Sequence, residues 1–278
     1  MPSTDSSPKP VDSQINGESE GDHHRPVLPV AFLRRIAERA RTLAGEFAAA
    51  GDRAGWLREQ IRWRWFTYRH RHEAAANRAF DARYGVDTAT DVPLADAGVP
   101  ASEVARCNGI YRAVTESAFR AALAAVPVDP SDYTFVDVGS GKGKALLLAA
   151  EFGFRDVIGI EYAIGLHRVA ERNLARWRQR STAQASPRSV HHDALTYPLP
   201  DGPLLVFVFN ALAPALMRQL VDALDRRATD RPAEPLILVY VNLRHVREIG
   251  DALAGAVSLR TRVRRRHHVV LANTAAGV

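Results

Sequence analysis

Asp137, Gly139, Gly141, Gly143 and Glu161 are the residues of this chain whose types and spacing point most directly to chemistry. Three glycines at alternate positions in Gly139-Ser140-Gly141-Lys142-Gly143 tolerate positive φ and carry no Cβ to hold a ligand off the backbone. Glu161, about twenty residues further on, is placed to accept hydrogen bonds from ribose hydroxyls. Asp137 adds a carboxylate that a pyrophosphate would disfavour and an amino group would favour. The elements that must position these groups are readable on either side. Tyr133, Phe135, Val136 and Val138 form a short apolar run that fits a strand buried on both faces. Ala145, Leu148, Ala149 and Phe152 follow the i, i+3, i+4, i+7 spacing of a helix with one face on a core, and Gly153 ends it. Val157, Ile158 and Ile160 make a second strand that closes on Glu161. Strand, glycine loop, helix, strand and acid compose a nucleotide-binding βαβ unit, with loop amides and the positive helix end facing the ligand.

The spacing narrows the ligand. A dinucleotide site has G-x-G-x-x-G, and here the third glycine comes one residue early; no P-loop string occurs either. A ribose acceptor paired with a carboxylate for an ammonium suits S-adenosylmethionine. From Asp137 to Gly143 the chain reads D-x-G-x-G-x-G and resembles the first motif of the class I S-adenosylmethionine-dependent methyltransferases. The resemblance runs from about Asp81 to Asn273 and is strongest at this motif. It implies that Asp137 and the loop Gly139, Ser140, Gly141, Lys142 and Gly143 bind the methionine end of the cofactor, and that Glu161, followed by Tyr162, binds the ribose. It further implies that Asp193, followed by Ala194, binds the adenine amino group. The segment before the first motif is similar to that of an uncharacterised bacterial methyltransferase family and, distantly, of non-SET histone-lysine methyltransferases. There an aromatic and a threonine lie near the cofactor tail, and Tyr111 and Thr115 are the matching positions. A packed tyrosine and a plain helix cap explain the same two residues.

Asn210 ends an apolar strand, Leu204 to Phe209, so it points to the crevice where open α/β sheets hold ligands. It resembles the strand-end asparagine of amino-group methyltransferases, which is followed by proline and an aromatic. Here Ala211-Leu212-Ala213 follows, which weakens transfer of nucleic-acid or lysine specificity. Asn210 is the candidate catalytic residue, with contact to the cofactor as its other role. No histidine–acid pair for O-methylation is evident, although folding could bring in His167, His191 and His245, so N-methylation of a small molecule or a protein amino group is favoured. His191 and His192 are adjacent and would point to opposite faces of a strand, and no third ligand follows at a metal-binding spacing. A metal site is not expected.

The remaining pattern predicts a seven-stranded, mostly parallel, doubly wound α/β sheet that ends in an antiparallel hairpin, Val257 to Arg264 and His267 to Ala272. A helix from Gly165 to Arg178 is expected to bury Leu166, Val169, Ala170, Asn173 and Trp177, and one from Pro214 to bury Leu216, Leu220, Ala223 and Leu224. Residues 1–26 are polar and read as a disordered tail. Residues 27–100 read as a helical N-terminal extension: one helix from Pro29 to Gly51, a second from Asp52 to Tyr84, then an irregular connection to Pro100. Residues 101–278 read as the methyltransferase domain.

With 46% hydrophobic and 24% charged residues the composition is that of a soluble globular protein. No stretch is apolar for long enough to span a bilayer, and the N-terminus lacks a signal core, so a cytoplasmic location is expected. Cys107 alone forms no intrachain disulfide and reads as a buried thiol. The net charge is +6, carried by arginine, since the lysines are only Lys9, Lys142 and Lys144. Arginines interleaved with tryptophans in residues 53–71 make nucleic acid or a membrane surface a possible partner. Because they fall on several faces, a helix packed on the catalytic domain is favoured. The rival readings are a non-catalytic protein of this fold that binds a partner through its basic surface, and a nicotinamide-dependent oxidoreductase, disfavoured by the glycine spacing.

Overall fold

Short β-branched and aromatic runs separated by amphipathic stretches give a layered α/β arrangement, because the strands need cover on both faces. The computed structural model describes residues 71–278 apart from 105–106, 242–252 and 266, together with Glu38, Arg41, Thr42, Phe47 and Leu57, which are helical. The tail, most of both N-terminal helices and His245 therefore lie outside the described residues. The chain divides into two compact units, 1–65 and 66–278. Residues 66–100, grouped by sequence with the N-terminal extension, fall in the second unit.

The second unit opens with helix α1 over residues 71–84. The connection that follows is not wholly irregular: β1 (Val92–Pro93) pairs antiparallel with β2 (Ile110–Tyr111), and the short helix α2 (Ala101–Val104) lies between them. Helix α3 (Glu116–Leu123) starts at Thr115, whose side chain accepts from the Ala118 amide. Then come β3 (Thr134–Val138), α4 (Lys144–Phe152), β4 (Asp156–Glu161), α5 (Ile164–Arg178) and β5 (Arg188–His191). The chain continues with β6 (Leu204–Phe209), α6 (Pro214–Asp230), β7 (Leu236–Val241), β8 (Arg260–Arg264) and β9 (His268–Ala272).

The main sheet has seven strands in the order β5-β4-β3-β6-β7-β9-β8. The first five are parallel, and β9 pairs antiparallel with both β7 and β8. Alternation along each strand splits the core in two. Phe135, Leu205, Phe207, Ile237 and Val239 face one side, where Phe80 of α1, Phe119 of α3 and Leu147 of α4 meet them. Val136, Leu204, Val206, Val208 and Leu238 face the other, covered by Leu216, Leu220 and Leu224 of α6. Each such buried side chain stabilises the fold by about 1.5–3 kcal/mol. In α5 the buried stripe is Leu166, Ala170, Asn173, Leu174 and Trp177; Val169, expected in it, is half-buried. Leu174 stands four residues after Ala170 and eight after Leu166, whereas Val169 is displaced round the helix from that line. Among the described residues no helix is long and apolar enough to cross a membrane.

Candidate functional site

From β3 the chain winds outward through β4 to β5, then returns to place β6 on the opposite side of β3. That reversal opens a crevice at the carboxyl ends of the strands. A cleft of about 900 Å³, mouth included, occupies it. Its floor is Val138, Gly139, Ile160, Glu161 and Asn210, and one wall is formed by Leu94, Val99, Glu103, Cys107, Asn108 and Ile110 to Arg112.

The glycine loop is bent by three positive φ angles, 72° at Gly139, 56° at Gly141 and 85° at Gly143. The amides of Gly139 and Ser140 donate to the Ile160 carbonyl at 2.9 and 3.1 Å, which ties the loop to β4. A Cβ on Gly141 would overlap the ring of Tyr111, so only glycine lets that ring rest on the loop. Glu161 is buried and accepts from the Gly141 amide at 2.6 Å and the Ala163 amide at 2.7 Å. Burial raises its pKa to about 7, with these amides pulling the other way.

Asp137 is buried on β3 and has no hydrogen-bond partner among the described residues. Burial holds its pKa well above the usual carboxylate range, and the neighbouring Glu161 adds to the effect. It faces a small side chamber with Tyr111, Arg112, Ser140, Lys144 and Phe209, where the buried Ser140 hydroxyl also lacks a partner. The Asp137 carboxyl therefore opens on the chamber with acceptor capacity that a hydrogen-bond donor entering it would use.

Other residues singled out in the sequence are distributed differently. Tyr111 borders both the cleft and the chamber, and its hydroxyl donates to the Thr88 carbonyl at 3.0 Å. Tyr162 is exposed at the cleft and donates to Glu103 at 2.6 Å. Asp193 and Ala194 line the cleft, and Asp193 accepts from the Leu195 amide at 2.9 Å in an Asx turn. Lys142 turns away, placing its ammonium 3.0 Å from Asp87 and 5.7 Å from the Tyr111 ring centre. Gly143 stands at the N-cap of α4, and Thr115 acts as the cap of α3 and lines neither space. Cys107, expected to be buried, is half-exposed in the cleft wall. His191 bonds the Tyr162 carbonyl at 2.9 Å, and His167 bonds Ser189 and stacks on His191.

Asn210 is buried at the end of β6 and, alone among the described non-glycine residues, has positive φ, 51°. Asparagine tolerates this region better than other side chains. Asn108 holds it there, donating to the Asn210 carbonyl at 2.8 Å and to the Leu212 carbonyl at 3.2 Å. Asn173 performs a similar service for the glycine loop. Its amide donates to the Lys142 and Asp87 carbonyls at 2.9 and 2.8 Å and accepts from the Asp87 amide at 2.9 Å. Lys144 is buried with its ammonium on Asn77 and 4.4 Å from the Phe80 ring centre; burial lowers its pKa to about 8. Asn108 merely precedes Gly109 and Asn173 falls in the helical stripe, so neither stands out in the sequence as a site residue.

The strand order, the hairpin edge and the crevice at the glycine loop define the fold of the class I S-adenosylmethionine-dependent methyltransferases. No protein-family model matches the chain, and no curated protein does. Among solved structures, the chain is similar to an RNA methyltransferase from Salinibacter ruber in complex with S-adenosyl-L-homocysteine. The identity is 19%, with 58% of this chain and 91% of that one covered and a TM-score of 0.40. It is also similar to precorrin-6y C5,15-methyltransferase from Geobacter metallireducens GS-15, at 15% identity over 58% of this chain and 90% of that one, with a TM-score of 0.42.

Proposed function

We propose that this chain is an S-adenosylmethionine-dependent methyltransferase that methylates an amino nitrogen of a small molecule or a protein. The observation that carries the reading is Asp137: a buried carboxylate with no hydrogen-bond partner among the described residues, set beside a glycine loop and one strand away from Glu161. S-adenosylmethionine, when bound, supplies a methyl group on a positively charged sulfur together with an α-amino group and a ribose. Asp137 accepts from the ammonium, and the arriving cation draws the pKa of Asp137 back down. Glu161 keeps its two backbone donors and uses its remaining lone pairs for the ribose hydroxyls. Asp193 holds Leu195 with one oxygen and offers the other to the adenine amino group. Tyr111, Leu94 and Val99 supply apolar surface to the cleft, against which the ligand would displace water.

Asn210 supports the acceptor half of the reading. Its place at the strand end lets its amide orient an incoming amine, while His192, the histidine among the described cleft residues, bonds the Asp193 main-chain carbonyl rather than a carboxylate. A neutral amine needs little proton-transfer help, so positioning supplies much of the rate. The test is calorimetry of the full chain with S-adenosylhomocysteine and with NAD, followed by labelled-methyl transfer to amine-bearing metabolites and proteins. Heat with the first ligand only, and label on nitrogen, are expected. No binding of S-adenosylhomocysteine by folded protein would end the reading, and label on oxygen would end the amine preference.

A further inference from the structure

We propose that the outer edge of the main sheet, β8 and its turn into β9, is a docking surface for the phosphate backbone of a nucleic acid. From residue 252 to 278 the chain holds five arginines and two histidines and no acidic residue. The fold gathers Arg260, Arg262, Arg264 and Arg265, all exposed, on the outermost strand and its turn. None of these four side chains has a hydrogen bond or ion pair among the described residues. Some arginines elsewhere, Arg112, Arg188, Arg227 and Arg231, are each tied to a carboxylate, and Arg172 and Arg176 on α5 are exposed as the ridge arginines are. Four exposed guanidinium groups in six positions, with Arg260 sharing the field of the Asp225 carboxylate, form a local field suited to bidentate contacts with phosphate.

The ridge is rigidly mounted. Asp225 accepts from the amides of Val257, Ser258 and Leu259, which fixes the start of β8, and Val263 packs inward opposite Val270. Arg260 pairs with Ala272 and Arg264 with Val269, while the register shift between Thr261 and Val263 falls at Arg262. A bulge re-aims side chains, so the cations leave the strand in several directions as a ridge. Because β8 and β7 both oppose β9, they run the same way, and Arg264 and Arg265 sit at the end of the sheet that carries Gly139 and Asn210. Three strand spacings separate β8 from β6, about 14 Å. A polyanion on the ridge therefore runs along the rim of the cleft.

Charges on an edge strand also prevent sheet-to-sheet pairing. That purpose does not call for Arg265, which lies beyond the last paired residue of β8. Neither β8 nor β9 carries a Phe, Tyr or Trp. The surface thus offers phosphate contacts without a platform for base stacking, and binding should be sequence-tolerant and steeply salt-dependent.

This proposal does not depend on the methyltransferase reading, and titration with S-adenosylhomocysteine in the same samples keeps the two apart. The full chain is titrated into a labelled single-stranded RNA of about 20 nucleotides across a series of salt concentrations, beside R260Q/R262Q/R264Q/R265Q. The wild type should bind at low salt, and the variant should bind at least about tenfold more weakly. Its salt slope should shrink by about 3, at roughly 0.7 per lost single-strand phosphate contact. The pair R264Q/R265Q, which spares most of the strand, should shrink the slope by about half as much and covers the case in which the fourfold variant misfolds. Arg172→Gln with Arg176→Gln, on the exposed side of α5, should change neither quantity. Equal slopes in wild type and variants overturn the proposal. So does binding to anionic vesicles or polyglutamate without binding to RNA, and so does self-association of the variant with RNA affinity unchanged, which would make the arginines guards of the sheet edge.

Discussion

Asn108 and Asn210 are 102 residues apart in sequence, and the side chain of the first holds the main chain of the second at 2.8 Å. The bond fixes a left-handed residue at the strand end nearest the chemistry. Asn108→Ala leaves the Asn210 and Leu212 carbonyls without this donor, at a cost of about 1–3 kcal/mol in stability. Turnover should fall by a larger factor than affinity for S-adenosylhomocysteine, as read by methyl-transfer rates beside calorimetry.

At position 210 itself, backbone and side-chain roles can be separated. Asn210→Gly keeps the positive φ without strain, whereas Asn210→Val should be less stable than the glycine variant by about 1–2 kcal/mol. If the amide orients the acceptor, both lose turnover, and only the valine variant shows a clearly lower urea midpoint.

Asp137→Asn should move stability and binding in opposite directions. Removing a carboxyl that ionises freely in the unfolded chain but is disfavoured as a charge in the fold raises the melting temperature of the free protein at neutral pH. The same change weakens S-adenosylhomocysteine binding by about 1.5–3 kcal/mol, the scale of a hydrogen bond to a charged group. Thermal melts with and without ligand test both signs in one experiment.

Glu161 gives a pH signature. Its folded pKa of about 7 lies above the ordinary value of 4.5, so between those pH values the folded state binds more protons than the unfolded state. Stability therefore falls as pH rises through that window, by up to about 3 kcal/mol for this group. Glu161→Gln should flatten this component in urea titrations. Ligand binding has the opposite sign, because ribose hydroxyls donate to the carboxylate: affinity should rise as pH passes through about 7, and the glutamine variant should lose that rise.

Phe80 anchors α1 in the core with 3% of its surface exposed. Phe80→Ala should cost about 3–5 kcal/mol, and a chain truncated through Arg83 should aggregate. Soluble, ligand-binding truncated protein would contradict this placement of α1.

What the sequence discloses is what depends on neighbours in the chain. The glycine loop, its two strands and Glu161 are contiguous, and apolar runs such as Leu204–Phe209 mark doubly buried strands directly. The two-residue strands β1 and β2 give no periodic signal, yet they carry the cleft wall. Asn108 and Asn173 look ordinary because their partners are distant in sequence or are main-chain atoms. Lys142 illustrates the converse: its place in the loop suggested a ligand contact, and Asp87, brought in from 55 residues away, draws the ammonium elsewhere.

The position of β3 also sets a timetable for synthesis. Its partner on one side, β4, follows directly, but its partner on the other, β6, ends only at Phe209. At about 5–20 residues per second, roughly 4–14 s pass between translation of Val138 and of Phe209. For that interval the nascent chain has an apolar central strand whose second edge is still unmade. Slow codons or a chaperone acting between these two points would set how long that edge stays open to wrong partners.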